Sequence, residues 1–545
     1  METSMREMKR VGIFGWGVVA PKSPDIASFE RNLAGARSWL SPFREFGPSN
    51  FLVGYPDFDF DAYQPWMNER FPSSRFSQLK DKMGPVVQYS IGAFIQSLDQ
   101  NPGIEQYLQS LGTACHIYVG TGLGDLTIQH EESLRLDRAQ KRWNEFWASP
   151  DRCSALRNHL AGDVDPDSPP PASDEAIGSE AWIDAKHRYE AYWAPRSDAL
   201  AAYLFEAARI QSEPIPPSSG AAKLGNIRQK ISRIRALNKE WGCPEEPWAS
   251  VSPNLLWNIA NIGAAQISMI GRIHGSAYAP VAACASFGIA IKMALDAIRS
   301  GDAKAVVIGM SDPPPHPLSI SAFYNANVLS ADASVSAPLT GLKGTHVSGG
   351  SCVWILGDAE ALVAEGFQPV GMEIITVGAS SDAHHIITPS RDGPQLAMRQ
   401  ALENLDPSQI SNWDMHATAT PGDASEIEHS LEILPHDVLF TARKGTFGHG
   451  MSVGGGWELT AQHLGMSNGS LFPTVLAEGE LHADVKLHEA KFVHETRCTI
   501  KGGYSGKMSM GIGGINSCVI SRPWEAKEEV ESSTEVPGRH PVSTT

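Results

Sequence analysis

The segment at residues 279–300, APVAACASFGIAIKMALDAIRS, constrains the fold of this chain more than any other. Apolar, strand-compatible residues run up to Ala283, and from Ile289 the apolar positions recur at helical spacing until Gly301. This pattern predicts a buried strand that ends at Cys284 and a helix that follows at once. A cysteine at a helix N-terminus faces free backbone N–H groups, which favour a thiolate and would stabilise an oxyanion. Cys284 is therefore a candidate nucleophile, and the alternative is a small cysteine packed in the core.

The composition excludes several classes of protein. With 545 residues, of which 42% are hydrophobic, the chain is long enough for one large core or two fused ones. A formal net charge of −17 is unfavourable for nucleic-acid binding, which needs a basic surface. Seven scattered cysteines without a CxxC pair favour free thiols over disulfides or a metal site. Because we find neither a signal sequence nor an apolar run of bilayer length, we expect a cytoplasmic protein without a membrane span.

Apolar strands alternate with helical patterns along most of the chain. A short amphipathic helix is predicted at 26–34, and strands are predicted at 11–20, 116–126, 303–309, 351–357, 371–377, 474–476 and 517–521. Long apolar strands of this kind indicate sheets covered on both faces by helices. The tail from Pro523 is polar and charged, which is typical of disorder.

The character of the chain changes between about residues 127 and 250. Six tryptophans lie there among charged helical stretches, which a proline-rich run at 165–173 interrupts. We therefore predict a helical insertion. Within it, residues 223–239 (KLGNIRQKISRIRALNK) are strongly basic, and they form either a solvated helix face or a docking surface for an acidic partner.

Two histidines downstream of Cys284 stand in turns rich in threonine and glycine. His416 begins HATATPGD, and His449 lies in KGTFGHG. Lys444 stands five residues before His449, and Glu458 stands nine residues after it. A cysteine and two histidines in this order, each on a strand end or a glycine turn, indicate one catalytic site. We interpret the other histidines in turns or loops as structural, namely His274, His384 and His385.

With these motifs the chain resembles the elongating, decarboxylative β-ketoacyl-[acyl-carrier-protein] synthases of the thiolase-fold superfamily. That family shows a cysteine in an ACA or ACS context, an HGTGT motif, a lysine shortly before a GH pair, and a closing GFGG turn. The corresponding motifs here are ACA at 283–285, HATAT at 416–420, Lys444 with GH at 448–449, and GIGG at 511–514. In that superfamily, initiating synthases would show asparagine in place of His449. Thiolases would show a second catalytic cysteine near the C-terminus, and we interpret Cys518 as a core residue.

The resemblance implies an α/β fold with five layers, α/β/α/β/α, built from two duplicated thiolase-like halves with a large helical insertion. We place the N-terminal half at 10–365, the insertion at about 127–250, the C-terminal half at 366–522 and a disordered tail at 523–545. The insertion would be a helical cap that enlarges a dimer surface, a carrier-protein dock that uses residues 223–239, or part of an acyl tunnel.

The chemistry implied by the resemblance is a decarboxylative Claisen condensation. Cys284 would carry an acyl group as a thioester, and the neutral imidazoles of His416 and His449 would stabilise the enolate formed when a malonyl thioester loses CO2. Lys444 completes the implied catalytic set. Glu458 would stand behind the histidines and set their tautomer and local charge.

Further groups would bind the reacting carbonyl and the carrier arm. The resemblance assigns the oxyanion to the backbone N–H groups of Cys284 and Ile512. The phosphopantetheine arm would contact Thr418 and Thr420, and Gly511 and Gly513 are further expected substrate-binding residues. Ile512 stands where the family usually has a phenylalanine that gates the acyl pocket, so chain-length preference stays open.

The expected product is a β-ketoacyl-[acyl carrier protein] in fatty-acid or polyketide-type synthesis. The implied partners are an acyl carrier protein, which delivers phosphopantetheine, and a second copy of the chain in a homodimer, with a heteromeric partner as the alternative. We expect no metal and no other cofactor. Two other functions remain open: acyl transfer to an amine or alcohol, and a non-catalytic partner subunit like the chain-length factors.

Overall fold

The computed structural model describes residues 8–47, 50–173, 177–214, 220–476, 480–494, 498–499 and 503–524. The chain divides into two compact units. The first unit comprises residues 1–77, 85–124 and 260–545, and the second comprises residues 78–84 and 125–259. The insertion expected at about 127–250 lies within the second unit.

The strands are β1 (Val11–Val19), β2 (Ser41–Pro42), β3 (Leu52–Val53), β4 (Cys115–Gly120), β5 (Ala277–Tyr278), β6 (Ala305–Asp312), β7 (Gly350–Asp358), β8 (Glu373–Ser381), β9 (Ile410–Asp414), β10 (Leu439–Thr441), β11 (Ser470–Leu471), β12 (Cys498–Thr499), β13 (Tyr504–Gly511) and β14 (Ile515–Arg522). The helices before the central pair are α1 (Ile26–Leu33), α2 (Gln64–Arg70), α3 (Ser74–Lys82), α4 (Pro85–Ser97), α5 (Ile104–Ser110), α6 (Leu126–Trp147), α7 (Ser154–Leu160), α8 (Glu180–Trp193), α9 (Asp198–Ser212), α10 (Gly220–Trp241), α11 (Pro247–Ser250) and α12 (Ile262–Gly271). They are followed by α13 (Ser286–Ser300), α14 (Pro317–Asn325), α15 (Ala359–Ala364), α16 (Asp392–Leu402), α17 (Gly422–Leu431), α18 (Lys444–Phe447) and α19 (Met451–Ser467).

Ten strands of the first unit are joined in the order β10-β9-β13-β14-β8-β1-β7-β6-β4-β5. The two halves of this order repeat each other. β1 is antiparallel to β7, β7 is antiparallel to β6, and β6 and β5 are parallel to β4. The strands β8, β14, β13, β9 and β10 repeat these directions in the same sequence, and the two sets meet at the pair Val11 and Ile374. The repeat is the duplication that the sequence predicts.

Helices separate the two sets of strands and cover their other faces. α13 and α19 pack against each other, and each contacts strands of both sets, including β6 and β8 for α13 and β6 and β13 for α19. α4 and α12 cover the set that contains β1, and α16 covers β8 and β14. The layers are therefore α/β/α/β/α, and the expected thiolase-like fold is confirmed.

A glycine lets the two central helices approach closely. A Cβ atom at Gly456 would lie 2.7 Å from the ring of Phe287 and 2.8 Å from the Cβ of Cys352. Both neighbours are fully buried, so neither has space to move away. This crossing holds the start of α13, next to Cys284, against α19, next to His449.

Most elements predicted from the sequence are found with small shifts of their ends, but the prediction of a buried strand that ends at Cys284 is wrong. The strand in this region is β5, and both of its residues are exposed. Pro280 has no N–H to extend the ladder. Residues Ala283–Ala285 form a 3₁₀ turn, and α13 begins at Ser286. Gly301 ends α13 in a left-handed conformation, as predicted.

The strand predicted at 474–476 is also wrong. These residues lie in a loop after Pro473, which cannot donate to a ladder, and the strand nearest to them is β11. At the C-terminal end, Trp524 donates from Nε1 to the carbonyl of Gly371 at 2.8 Å, and the guanidinium of Arg10 lies 4.7 Å above its ring. The remainder of the tail expected to be disordered, residues 525–545, lies outside the described residues.

The second unit has its own hydrophobic core. Trp143, Trp147 and Tyr203 are buried in it, and the Tyr203 hydroxyl donates to the carboxylate of Glu246. Most of the tryptophans that mark the insertion in the sequence therefore act in packing. Trp248 is the exposed exception at 64%.

The basic stretch of the insertion lies on α10, whose side chains are described from Gly225 onward. Ile234 and Leu237 face the core of the second unit. Arg228, Arg235 and Lys239 are exposed. Throughout the described part of the chain, we find no helix that is both long and apolar enough to cross a membrane.

We predict that Gly456→Ala lowers the free energy of unfolding by about 1–3 kcal/mol, because the new methyl group overpacks the crossing of α13 and α19. Gly454→Ala is the matched control on the same helix, since a Cβ there has His449 Nδ1 as its nearest neighbour at 3.8 Å. The added methyl group therefore has enough space, and we expect it to leave the free energy of unfolding unchanged or to raise it by about 0.5–1 kcal/mol. Chemical denaturation of both variants checks the prediction, and equal effects would contradict it.

Candidate active site

Cys284 occupies the tight turn that leads into α13. Ala283, directly before it, has a φ of 48°, a left-handed conformation that costs a non-glycine residue about 1–3 kcal/mol. The hydroxyl of Ser286 holds this turn, because it accepts the N–H of Ala282 at 2.8 Å and donates to the carbonyl of Ala283 at 2.6 Å. The fold thus forces the backbone at the candidate nucleophile into a strained shape.

Similar strain occurs near both histidines. Ala419, three residues after His416, has a φ of 61°, and Met451, two residues after His449, has a φ of 50°. Residues of this kind cluster at functional sites, where the surrounding structure imposes them.

Cys284, His416 and His449 line one cavity of about 400 Å³ in the first unit. Their exposed fractions are 6%, 8% and 5%. The two imidazole rings lie 5.5 Å apart between centroids, at 79° to each other. The structure therefore brings the three candidate residues together in a largely buried site.

The glycine turn between β13 and β14 closes one side of this cavity. The backbone N–H of Ile512 lies near the thiol of Cys284 and acts to lower its pKa. Gly511 permits this approach, since a Cβ there would lie 2.7 Å from the carbonyl oxygen of Ala282. Gly511 and Ile512 line the cavity, whereas the N–H of Gly513 donates to the carbonyl of Ile386 at 2.6 Å. Gly513, which the sequence analysis expects to bind substrate, is not among the described residues that form the cavity wall.

The sequence analysis predicts that Cys284 is a thiolate, and the structure does not support this protonation state. Burial raises the pKa of the Cys284 thiol to about 11, although the charge of Lys444 and the N–H of Ile512 act in the opposite direction. The resting residue is a neutral thiol at pH 7. The helix N-terminus alone does not overcome the loss of water around the sulfur.

Both histidines are neutral at pH 7. Burial, followed by the charge of Lys444, lowers the pKa of His449 to about 3 and holds that of His416 well below its usual range. The Nδ1 atom of His449 accepts the N–H of Met451 at 3.2 Å, and Nδ1 of His416 lies 3.5 Å from Lys444 Nζ. Because Nδ1 is an acceptor in each ring, the proton belongs on Nε2.

Lys444 and Glu458 lie behind the histidines and do not line the cavity as it is described. Lys444 donates to the carbonyl of His416 and to Glu458 Oε1, the latter at 2.7 Å. Both side chains are almost fully buried. Although burial opposes ionisation, Lys444 and Lys507 outweigh it and lower the pKa of Glu458.

The HATAT segment is held by two carboxylates, Glu426 and Asp423, that also line the cavity and that the sequence analysis did not single out. Glu426 accepts the N–H groups of His416 and Ala417 at 2.7 and 2.8 Å, and Asp423 accepts that of Thr418 at 2.9 Å. Burial raises the pKa of Glu426 to about 7. Thr418 and Thr420 line the cavity, with their hydroxyl oxygens 3.0 Å apart.

Three more charged residues of the site were missed, namely Asp414, Arg443 and Lys507. Lys507 contacts Glu458 Oε2 at 2.8 Å and Asp414 Oδ1 at 3.2 Å, and Arg443 contacts Asp414 Oδ2 at 3.1 Å. One feature of the sequence points to Lys507: it is a lysine inside a strand without another charged residue, four residues before the glycine turn.

Comparisons with known proteins point to the same family as the sequence motifs. The family model described as "Beta-ketoacyl synthase, N-terminal domain" matches residues 200–361, and "Beta-ketoacyl synthase, C-terminal domain" matches residues 372–478. Over these two ranges the chain is similar to the β-ketoacyl synthases. The resemblance inferred from the motifs is thereby confirmed, and the matched ranges include Cys284, His416, Lys444, His449 and Glu458.

Individual relatives are distant. The 3-oxoacyl-[acyl-carrier-protein] synthase 2 of Staphylococcus aureus (strain COL) is 25% identical over 283 residues, which are 49% of this chain and 66% of the relative. The aligned part thus spans slightly less than two thirds of that β-ketoacyl synthase.

Solved structures share the fold over nearly the whole chain. The structure described as the ishigamide ketosynthase/chain length factor has a TM-score of 0.66 at 18% identity and covers 95% of this chain and 100% of its own. A type II polyketide synthase ketosynthase in complex with its acyl-carrier protein has a TM-score of 0.61 at 16% identity, with the same coverage. At these identities the likeness establishes the fold of the chain alone.

We predict that iodoacetamide alkylates Cys284 about ten times faster for each pH unit between 7 and 9. Only the thiolate reacts, and a pKa of about 11 makes its fraction rise ten-fold per pH unit in this range. Mass spectrometry of the peptide that contains Cys284 measures the rate, with Cys284→Ser as the blank. A rate that levels off near pH 7 would show instead that the helix N-terminus does stabilise the thiolate.

Proposed function

We propose that this chain joins an acyl group carried on Cys284 to the malonyl unit of an acyl carrier protein, with loss of CO2, in fatty-acid or polyketide-type synthesis. One observation carries the proposal: a single buried cavity holds a cysteine next to two neutral histidines whose Nδ1 atoms are already occupied. That set provides a nucleophile and two N–H donors without a charged acid or base.

Acyl transfer comes first. The sulfur of Cys284 bonds to the carbonyl carbon of an acyl thioester, the bond from that carbon to the carrier sulfur breaks, and the thiol proton of Cys284 passes to the carrier thiolate. The N–H groups of Cys284 and Ile512 would hold the oxygen of the tetrahedral intermediate. Ile512 supports this role because its N–H lies near the sulfur and acts to lower the pKa of the thiol.

Decarboxylation comes second. The malonyl carboxylate leaves as CO2, and its electron pair passes to the thioester as an enolate. The Nε2–H groups of His416 and His449 would donate to the enolate oxygen, and a neutral donor avoids a buried cation before the negative charge develops. The enolate carbon then bonds to the acyl carbonyl carbon, and the Cys284 sulfur leaves and takes up one proton.

The substrates would arrive on a carrier protein. Thr418 and Thr420 provide hydroxyl groups in the cavity wall for the amides of a phosphopantetheine arm. A homodimer is part of the proposal, because β5 is a short, exposed edge of the sheet beside the Cys284 turn, and such edges are normally covered.

Mass spectrometry of the purified chain with acyl- and malonyl-carrier proteins tests the function. We expect a β-ketoacyl carrier product from the wild type and neither acyl-enzyme nor product from Cys284→Ala. His449→Ala should still become acylated while decarboxylation falls about 100- to 1000-fold, because one donor to the enolate is lost. Cys518→Ala is the matched control, since this buried cysteine lies outside the described cavity wall.

Other outcomes of this experiment separate the alternatives. Acylation of Cys284 without chain extension would contradict condensation and indicate transfer to an amine or alcohol. Absence of both signals across several acyl lengths would indicate a non-catalytic partner subunit.

We also propose that α10 docks the carrier protein through Arg228, Arg235 and Lys239. These cations are exposed within a chain of net charge −17, so they would attract an acidic partner. The acyl-carrier protein complex of the related ketosynthase supports a carrier as the partner.

Reversal of charge tests the docking site. We predict that Arg235→Glu/Lys239→Glu raises the KM for malonyl-carrier protein several-fold, most strongly at low salt, and leaves the KM for malonyl-pantetheine unchanged. Arg138→Glu/Arg142→Glu is the matched control, with the same spacing on exposed positions of α6. Equal effects of the two double variants would contradict a specific dock on α10.

A further inference from the structure

Lys507 is a fully buried lysine that directly contacts four groups. Its side chain is 1% exposed, and it projects from β13 behind the histidines. Nζ lies 2.8 Å from Glu458 Oε2 and 3.2 Å from Asp414 Oδ1. It also donates to the carbonyls of Met415 and Met508, at 3.0 and 2.7 Å. Such a group is costly to bury, and the fold supplies it with two carboxylates and two carbonyls.

Lys444 and Lys507 contact the His416 segment in parallel ways. Lys444 donates to the carbonyl of His416, and Lys507 donates to the carbonyl of Met415, the residue before it. Glu458 joins the two lysines, with one oxygen on each. The backbone that carries His416 is therefore held by two ammonium groups.

In this cluster the ion-paired cations outnumber the carboxylates. Arg443, Lys444 and Lys507 are three cations, and their ion pairs are with two carboxylates, those of Asp414 and Glu458. Glu426 also acts on Lys507, and burial raises the pKa of Glu426 to about 7. Counted over the ion-paired groups, the cluster has an excess of at least one positive charge next to the histidines. Without Lys507, two cations would face up to two carboxylates, and the excess would disappear.

We propose that Lys507 is a positioning residue whose charge keeps His416 and His449 in the neutral form that donates hydrogen bonds. The value of this form for catalysis rests on the proposed condensation, but the protonation of the two rings is a property of the chain itself. Lys507 does not line the described cavity, so it acts through the histidines without touching substrate.

Several other groups act on the histidines, and Lys444 acts more strongly than Lys507. Lys444 contacts the His416 ring, each ring faces the other, and the carboxylates of Glu426 and Asp423 accept N–H groups of the HATAT backbone. Glu458 and Asp414 are paired with the lysines. Burial is the first cause of the low pKa of both histidines, and Lys444 and Lys507 lower it further. Burial alone would lower the pKa of Lys507 itself, but Glu458 and Asp414 outweigh it, and that pKa is raised.

Imidazole ¹⁵N NMR of the full chain tests the proposal without any need for activity. The His416 and His449 signals are assigned from His416→Asn and His449→Asn and followed from pH 7.5 to 4.5. We expect neutral rings throughout this range in the wild type. In Lys507→Met both rings should begin to protonate within it, about one pH unit or more above the wild type. Lys292→Met, which removes an exposed lysine of α13 paired with Asp296, is the matched control and should behave like the wild type.

A second variant separates charge from folding. Lys507→Met/Asp414→Asn removes one cation and one carboxylate, so the excess of positive charge remains. We expect its histidines to return toward wild-type behaviour, and near-UV circular dichroism checks that the core is intact. If Lys507→Met does not fold, the double variant is compared with Asp414→Asn alone, and the two should keep their histidines neutral.

The pH profile of malonyl decarboxylation is the functional readout. We expect its acid limb to move up by about one pH unit in Lys507→Met, a ten-fold loss on that limb, while acylation of Cys284 stays within about two-fold of the wild type. The proposal is overturned if folded Lys507→Met has wild-type histidine signals from pH 7.5 to 4.5. It is also overturned if the double variant protonates as readily as Lys507→Met. An inactive wild type with neutral histidines would contradict the condensation and leave the assignment of Lys507 supported.

Discussion

Glu458 is buried on the central helix α19 between two lysines, with one carboxylate oxygen on each. Removing such ions from water costs several kcal/mol each, and the cluster persists because every charge has a partner within 3.2 Å. The lysines in turn hold consecutive carbonyls of the segment that ends in His416. The position of this histidine, and the electrostatic environment of the cavity, therefore depend on one buried carboxylate and its two partners.

The duplicated architecture explains why the cluster and the cavity adjoin. α13 and α19 are equivalent positions in the two halves, and both lie between the two sets of strands. Cys284 precedes α13, and His449 precedes α19, so the close crossing at Gly456 brings the two turns together. The left-handed residues beside these turns are strained, and the packed helices supply the energy that holds them.

Burial acts on the pKa values of the two kinds of proposed catalytic group in opposite directions. It raises the pKa of the Cys284 thiol and lowers the pKa of both histidines, so each group is uncharged before substrate arrives. The net positive charge of the cluster lies behind them. Negative charge would develop only during the reaction, where N–H donors are already oriented, and preorganised donors of this kind stabilise a transition state without reorganising.

The sequence by itself determined the local chemistry: the helix that ends at Gly301, the glycine turn at 511–514, and the choice of Cys284, His416 and His449. The helix follows from periodicity, and the glycine turn and the three site residues follow from short motifs that resemble those of a known family; all of these signals span only a few residues. Only the tertiary structure decided that the strand before Cys284 is two residues long, that its thiol is protonated, and that Lys507 belongs to the site. The reason is physical: sheet pairing, loss of water and charge pairing depend on residues far apart in the chain, and no local pattern records their distances.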